Sequence, residues 1–231
     1  ALHGTPCFVY SGDMLAERAK KLLSLELPYG FTPRYAMKAN NHPEIIRLFH
    51  ETGLSFDASS SYEAQELINL GVPGEKISLS SQQPAHNLGE LLAAGVQYVA
   101  TSLRQLELFL ANENRPGTVG LRVNPGIGAG HNNRLTTGGA NSSFGLWNAY
   151  VPEALRLVAA NGVKIDRLHV HIGSGADPTM WGKMMETALA IAETMPDVTR
   201  LDMGGGYKIH RYGDEHEADM TAIAAEFARQ L

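Results

Sequence analysis

The stretch RYAMKAN, residues 34–40, decides how the chain is read. Arg34, Ala36 and Lys38 alternate with Tyr35 and Met37, a period of two that predicts a strand with one polar and one apolar face. Lys38 is then expected at the end of a buried strand, where lost hydration disfavours the charged amine and lowers its proton affinity. A neutral amine in a dry pocket is a nucleophile toward carbonyls.

Outward from this stretch, strand-like runs alternate with helical ones. After CFVY (7–10) and the helical GDMLAERAKKLLSLEL, the predicted strands are PRYAMKA, LSFDASS, KISLSS, QYVATS, TVGLRVN, DRLHVHIG and RLDMGGG. Between them lie amphipathic patterns such as HPEIIRLFHETG, SYEAQELINLG, LGELLAAG, LRQLELFLANEN, VPEALRLVAANG and MWGKMMETALAIAETM, several closed by a glycine suited to a helix C-terminus. Such a repeat implies parallel strands with helices outside.

The inner faces choose between an open doubly wound sheet and a closed barrel. One parity collects Tyr35, Met37, Phe56, Ala58, Ile77, Leu79, Leu121, Val123, Leu168, Val170, Ile172, Leu201 and Met203, apolar as a helix-covered face requires. The other collects Arg34, Ala36, Lys38, Ser55, Asp57, Ser59, Ser78, Ser80, Arg122, Asn124, His169, His171 and Asp202. Polar groups converging from at least five strands argue for a (β/α)8 TIM-type barrel with a site at its C-terminal rim, seven βα units being present. Residues 1–27 are expected to form an N-terminal strand and helix leading into a barrel over residues 28–231.

At 231 residues and 44% hydrophobic, the chain has the composition of a soluble α/β domain. A net charge of −5 with scattered basic residues gives no footprint for nucleic acid or an anionic membrane. The single cysteine, Cys7, excludes an internal disulfide framework, and with no signal peptide or membrane span legible a cytoplasmic location is expected.

Three features carry chemistry. Lys38, faced by Asp57 from the next strand, suits a Schiff base with a carbonyl cofactor or substrate, although a strand-end lysine also simply reaches solvent or pairs with a carboxylate. His169 and His171 in HVHIGSG share one face and are a candidate metal pair, but a third ligand is missing unless Asp57 or Asp202 supplies it. Histidine also stacks on flat rings, and the following Gly-Ser-Gly lets backbone amides and the Ser174 hydroxyl approach a phosphate. LDMGGG ends the seventh strand in Gly204, Gly205 and Gly206, where barrels place phosphate sites. Together these specify pyridoxal 5'-phosphate, with no metal, better than any other cofactor.

The segments TPCFVY, YAMKAN, FDASSSYEAQELINLGV, LRVNPGIGAGH, TTGGANSSFG, HVHIGSG and LDMGGG resemble, in order, the fold-type III pyridoxal-phosphate-dependent decarboxylases, whose barrels are alanine racemase-like. The NPG…GH…TGG.NS..G loop resembles the diaminopimelate branch rather than the ornithine or arginine branches. The resemblance implies decarboxylation of meso-diaminopimelate to L-lysine with release of CO2, or action on a related diamino acid. It implies that Lys38 holds the cofactor covalently, His171 stacks on its ring, and Ser174 with Gly204, Gly205 and Gly206 binds its phosphate. Asp57 and Glu63 would lie near Lys38, and Arg122 would line the site.

Two departures stand out. YKIHRYGDE after the glycines differs from the apolar continuation of many relatives. The chain is also expected to be a truncated product, lacking an eighth strand and a C-terminal β-domain to which CFVY would belong, and to be weakly active or inactive alone. A homodimer is expected at full length. A single-barrel pyridoxal-phosphate carrier without turnover is the non-enzyme alternative.

Overall fold

Every strand of the barrel wall lies beside the strand that precedes it in the chain. The computed structural model describes residues 4–126, 142–171 and 173–231. The wall comprises β1 (Arg34–Ala36), β2 (Ser55–Ala58), β3 (Ile77–Leu79), β4 (Gln97–Ala100), β5 (Thr118–Asn124), β7 (Lys164–His169) and β8 (Arg200–Asp202), and β6 (Leu146–Trp147) is a two-residue spur on β5. All pairings are parallel and the order is β1-β2-β3-β4-β5-β7-β8. A doubly wound sheet reverses its order once, whereas this one never does, so the wall winds in one direction as a barrel does. Among the described residues β1 and β8 each have one neighbour.

Helix α1 (Gly12–Leu23) precedes the wall, and α2 (Pro43–Thr52), α3 (Ser61–Asn69), α4 (Leu88–Ala93), α5 (Leu103–Leu110), α6 (Val151–Ala160), α7 (Pro178–Ala192) and α8 (Met220–Ala228) follow its strands. Side chains of Ser60, Ser102, Asp177 and Asp219 accept the first backbone N–H groups of α3, α5, α7 and α8. Gly53 closes α2 in the left-handed conformation that a Cβ would disfavour.

The expected outer face is the core. Phe56, Ala58, Ile77, Leu79, Leu121 and Leu168 are fully buried beneath the helices, and Ile172 lies outside the described residues. The expected strand at residues 7–10 does not form. That segment pairs with no strand among the described residues, and Phe8 and Val9 are exposed.

Candidate functional site

Lys38 departs from its expected place in a buried strand. After Ala36 the chain turns through one 3₁₀ turn, Met37–Ala39, which buries the Met37 side chain and lifts Lys38 to the rim, where it is exposed. Alternation ends one residue before Lys38 because Met37 has a core position to fill, and the Tyr35 hydroxyl ties the turn by donating to the Asn40 carbonyl at 3.1 Å. The amine thus stands at the C-terminal mouth of the barrel, not in a dehydrated slot.

Asp57 is on the inner face beside β1, in register with Ala36. Burial, reinforced by the like charge of Asp202, pushes its carboxyl up to about 7, against the opposing pull of Lys38, Arg167 and a hydrogen bond from Ser78. A native carboxyl protonated up to about pH 7, compared with an unfolded aspartate that ionises near 3.9, makes folding most favourable below about pH 4. The stability then declines as pH rises to about 7. Asp57→Asn is therefore expected to match the parent near pH 4 and to exceed it by roughly 2–4 kcal/mol at pH 8. Urea unfolding at the two pH values checks this; equal stability increments at both would refute it.

At the far side of the mouth, the segments after β7 and β8 interlock. Gly205 N–H donates to His171 Nδ1 at 3.2 Å, so the ring carries its proton on Nε2. Burial, with Arg122 and Lys38 in electrostatic reach, lowers His171 to about 4, and it is neutral at pH 7. A Cβ at Gly204 would run into the His171 ring, and one at Gly206 into the Gly173 carbonyl and within 3.0 Å of Ser174 Cα. Both glycines have positive φ, +69° and +101°. A parallel bridge between Gly175 and Tyr207 extends the contact, with the Trp181 and Tyr207 rings 4.4 Å apart beneath it. Ser174 is exposed.

Arg122, on β5, is buried with its guanidinium 5.2 Å from the centre of the Phe144 ring. Glu63 is a local capping residue: its carboxylate accepts the Ser59 N–H at 2.6 Å while Ser60 Oγ accepts the Glu63 N–H. His169 lies deeper than His171, 3.3 Å from Ser80 Oγ, and burial lowers it to about 3. Asp202 stays ionised: the effect of its burial is outweighed by His169, Arg167 and the Gly204 N–H, 3.0 Å from Oδ1. Among the described residues no group of three side chains could ligate a metal.

Sequence reasoning missed Arg167, which shares the parity of His169 and reaches Ser78 Oγ across the barrel at 3.1 Å. Continuing the alternation two residues upstream would have found it. Residues 127–141, which hold most of the GIGAGH and TTGGAN motifs, lie outside the described residues. The departing YKIHRYGDE stretch closes on itself, Ala218 N–H donating to the Lys208 carbonyl at 2.7 Å, and Glu217 pairs with Arg18 of α1 at 3.2 Å.

A singly wound wall with an amine at the end of its first strand, and a histidine and a glycine turn after its last two, defines a (β/α) barrel domain with a polar site at its C-terminal mouth. The chain belongs to the family described as pyridoxal-dependent decarboxylase, pyridoxal binding domain, which matches residues 14–231. It is 30% identical over 226 residues to a diaminopimelate decarboxylase of Streptomyces coelicolor, covering 95% of this chain and 50% of that one. It is 27% identical to the Escherichia coli K12 diaminopimelate decarboxylase, covering 92% and 51%. A crystal structure of a point mutant of the Helicobacter pylori diaminopimelate decarboxylase, complexed with L-lysine, superposes with a TM-score of 0.89 at 21% identity over 98% of this chain and 60% of that one, a likeness of fold. Another diaminopimelate decarboxylase structure gives 0.79 at 25% identity, covering 94% and 53%. The chain spans about half the length of the curated relatives it matches. No helix among the described residues is long and apolar enough to cross a membrane.

Proposed function

We propose that this chain is the cofactor-holding barrel of a cytoplasmic decarboxylase that converts meso-diaminopimelate to L-lysine and CO2. Pyridoxal 5'-phosphate is the proposed cofactor. The observation that carries the reading is the meeting of Lys38, His171, Ser174 and Gly204–Gly206 at one mouth of the barrel. The residues fit that group: no atom lies within 4 Å of where a Cβ would stand on Gly205, Gly204 and Gly206 let the turn pack closely against His171 and Gly173, and a neutral imidazole held by a backbone amide offers a flat face.

When bound, the cofactor supplies an electron-poor ring that accepts the electrons of the breaking αC–carboxylate bond. Lys38 would supply the amine that holds the cofactor, and its position at the mouth suits it to return a proton to the substrate α-carbon. His171 bears on the ring face. Gly204 and Gly205 commit their N–H groups to Asp202 and His171, so within the glycine cradle Gly206 and the neighbouring Ser174 are assigned to the phosphate. Arg122 and Asp57 set the charge of the mouth beneath the substrate. The assembled enzyme is proposed to be a homodimer.

The test uses a version extended to the length of its relatives, loaded with pyridoxal phosphate, and measures CO2 release from meso-diaminopimelate, ornithine, arginine and lysine. Release from diaminopimelate alone is expected. Turnover of another diamino acid in its place would overturn the substrate assignment, and none with any of them would leave the carrier reading standing.

A further inference from the structure

The opposite, N-terminal end of the barrel holds a cluster that the chemistry at the mouth does not use. Three guanidiniums meet on one uncharged atom: Gln97 Oε1 accepts from Arg34 Nη2 at 3.3 Å, Arg167 Nη1 at 3.5 Å and Arg200 Nη1 at 3.1 Å. Arg34, Gln97 and Arg200 are the first residues of β1, β4 and β8, and Arg167 enters from β7. Arg167 is only 3% exposed, and its Nε, like that of Arg34, is buried without a hydrogen-bond partner. A cavity of about 200 Å³, lined in part by Gln97, Asp166, Arg167 and Arg200, opens here.

The local charge is not balanced. Asp166 is taken by Arg200 at 2.5 Å, and Asp202 lies toward the mouth, bonded to Gly204. Asp57 is half-neutral at pH 7. Three cations thus face two permanent carboxylates; burial lowers Arg167 to about 10, Asp202 pulls the other way, and Arg34 and Arg200 add to the lowering. An amide oxygen cannot compensate a net charge, whereas an oxyanion can accept several N–H groups at once.

We propose that the barrel floor is a binding site for a small oxyanion, phosphate being the simplest, held by Arg167 and Arg200 beside Gln97, with Arg34 adding positive charge from β1. Stabilisation by such a ligand grows as its concentration exceeds the dissociation constant. The protein is first saturated with pyridoxal phosphate, so that the phosphate position at the mouth is filled, and melting is followed as inorganic phosphate replaces chloride at constant ionic strength. A rise of about 2–4 °C is expected by about 20 mM phosphate. Gln97→Glu, which places a carboxylate among the guanidiniums, is expected to raise the starting melting temperature and abolish the response. Arg200→Gln, at an exposed position, is expected to weaken the response without unfolding the barrel. No rise in the parent protein, or an undiminished rise in Arg200→Gln and in any folded Gln97→Glu, overturns the proposal.

Discussion

Lys38→Ala is expected to abolish the borohydride-reducible visible absorbance of the cofactor-loaded protein and to lower turnover of the extended enzyme by at least about 10³-fold. Lys20, Lys21, Lys76, Lys164 and Lys183 lie on outer helices or at the N-terminal ends of strands, and Lys208 follows the glycine turn on the far side of the mouth. Because Lys38 is exposed and its 3₁₀ turn is held by Met37 and by the Tyr35 bond to Asn40, the truncation is expected to change stability by no more than about 0.5 kcal/mol. A lost absorbance with an unchanged melting temperature separates missing chemistry from missing structure. Survival of the band would move the covalent attachment elsewhere, with Lys208 the next position to substitute.

Gly206→Ala is expected to be the most damaging of the three glycine substitutions. At φ +101° an alanine is strained, which costs about 1–3 kcal/mol, and its Cβ would push against the Gly173 carbonyl, part of the backbone. The segments after β7 and β8 would have to separate. Retention of pyridoxal phosphate is expected to fall roughly 30–100-fold, the equivalent of about 2–3 kcal/mol, with a lower melting temperature. Gly205→Ala is the control: no atom lies within 4 Å of its Cβ and its φ is not positive, so near-parental binding is expected. Equal losses at both positions would show that the cradle does not depend on this close approach.

Much of this was legible from periodicity. Alternation on β2, β3, β5 and β7 separated the buried Phe56, Ile77, Leu121 and Leu168 from the inner Asp57, Ser78, Arg122 and His169, because a parallel strand under helices has one packed face wherever it starts. The same rule failed at Lys38, where the strand stops after three residues and a turn takes over, a choice made by the core position of Met37 and not by local preference. Glu63 was placed near the lysine by resemblance, while its immediate physics, an acid three residues beyond Ser60, is that of a helix start. Residues 7–10 have the composition of a strand but no partner among the described residues, and backbone pairing cannot be satisfied by composition. The convergence on Gln97 was beyond reach because it joins β1, β4, β7 and β8 at one level, and the level at which distant strands meet is set by the curvature of the wall.

The bond from Gly205 to His171 makes one mechanical unit of two segments that are thirty-four positions apart in the chain. A displacement of the glycine turn tilts the imidazole, and a tilt of the imidazole drags the turn. A ligand that grips the turn with one end and lies against the ring with the other therefore meets two contacts whose ordering cost is shared, so that seating either end prepares the other. Fragments bearing only the ring or only the phosphate would each bind far more weakly than their union, by more than the sum of their separate affinities predicts.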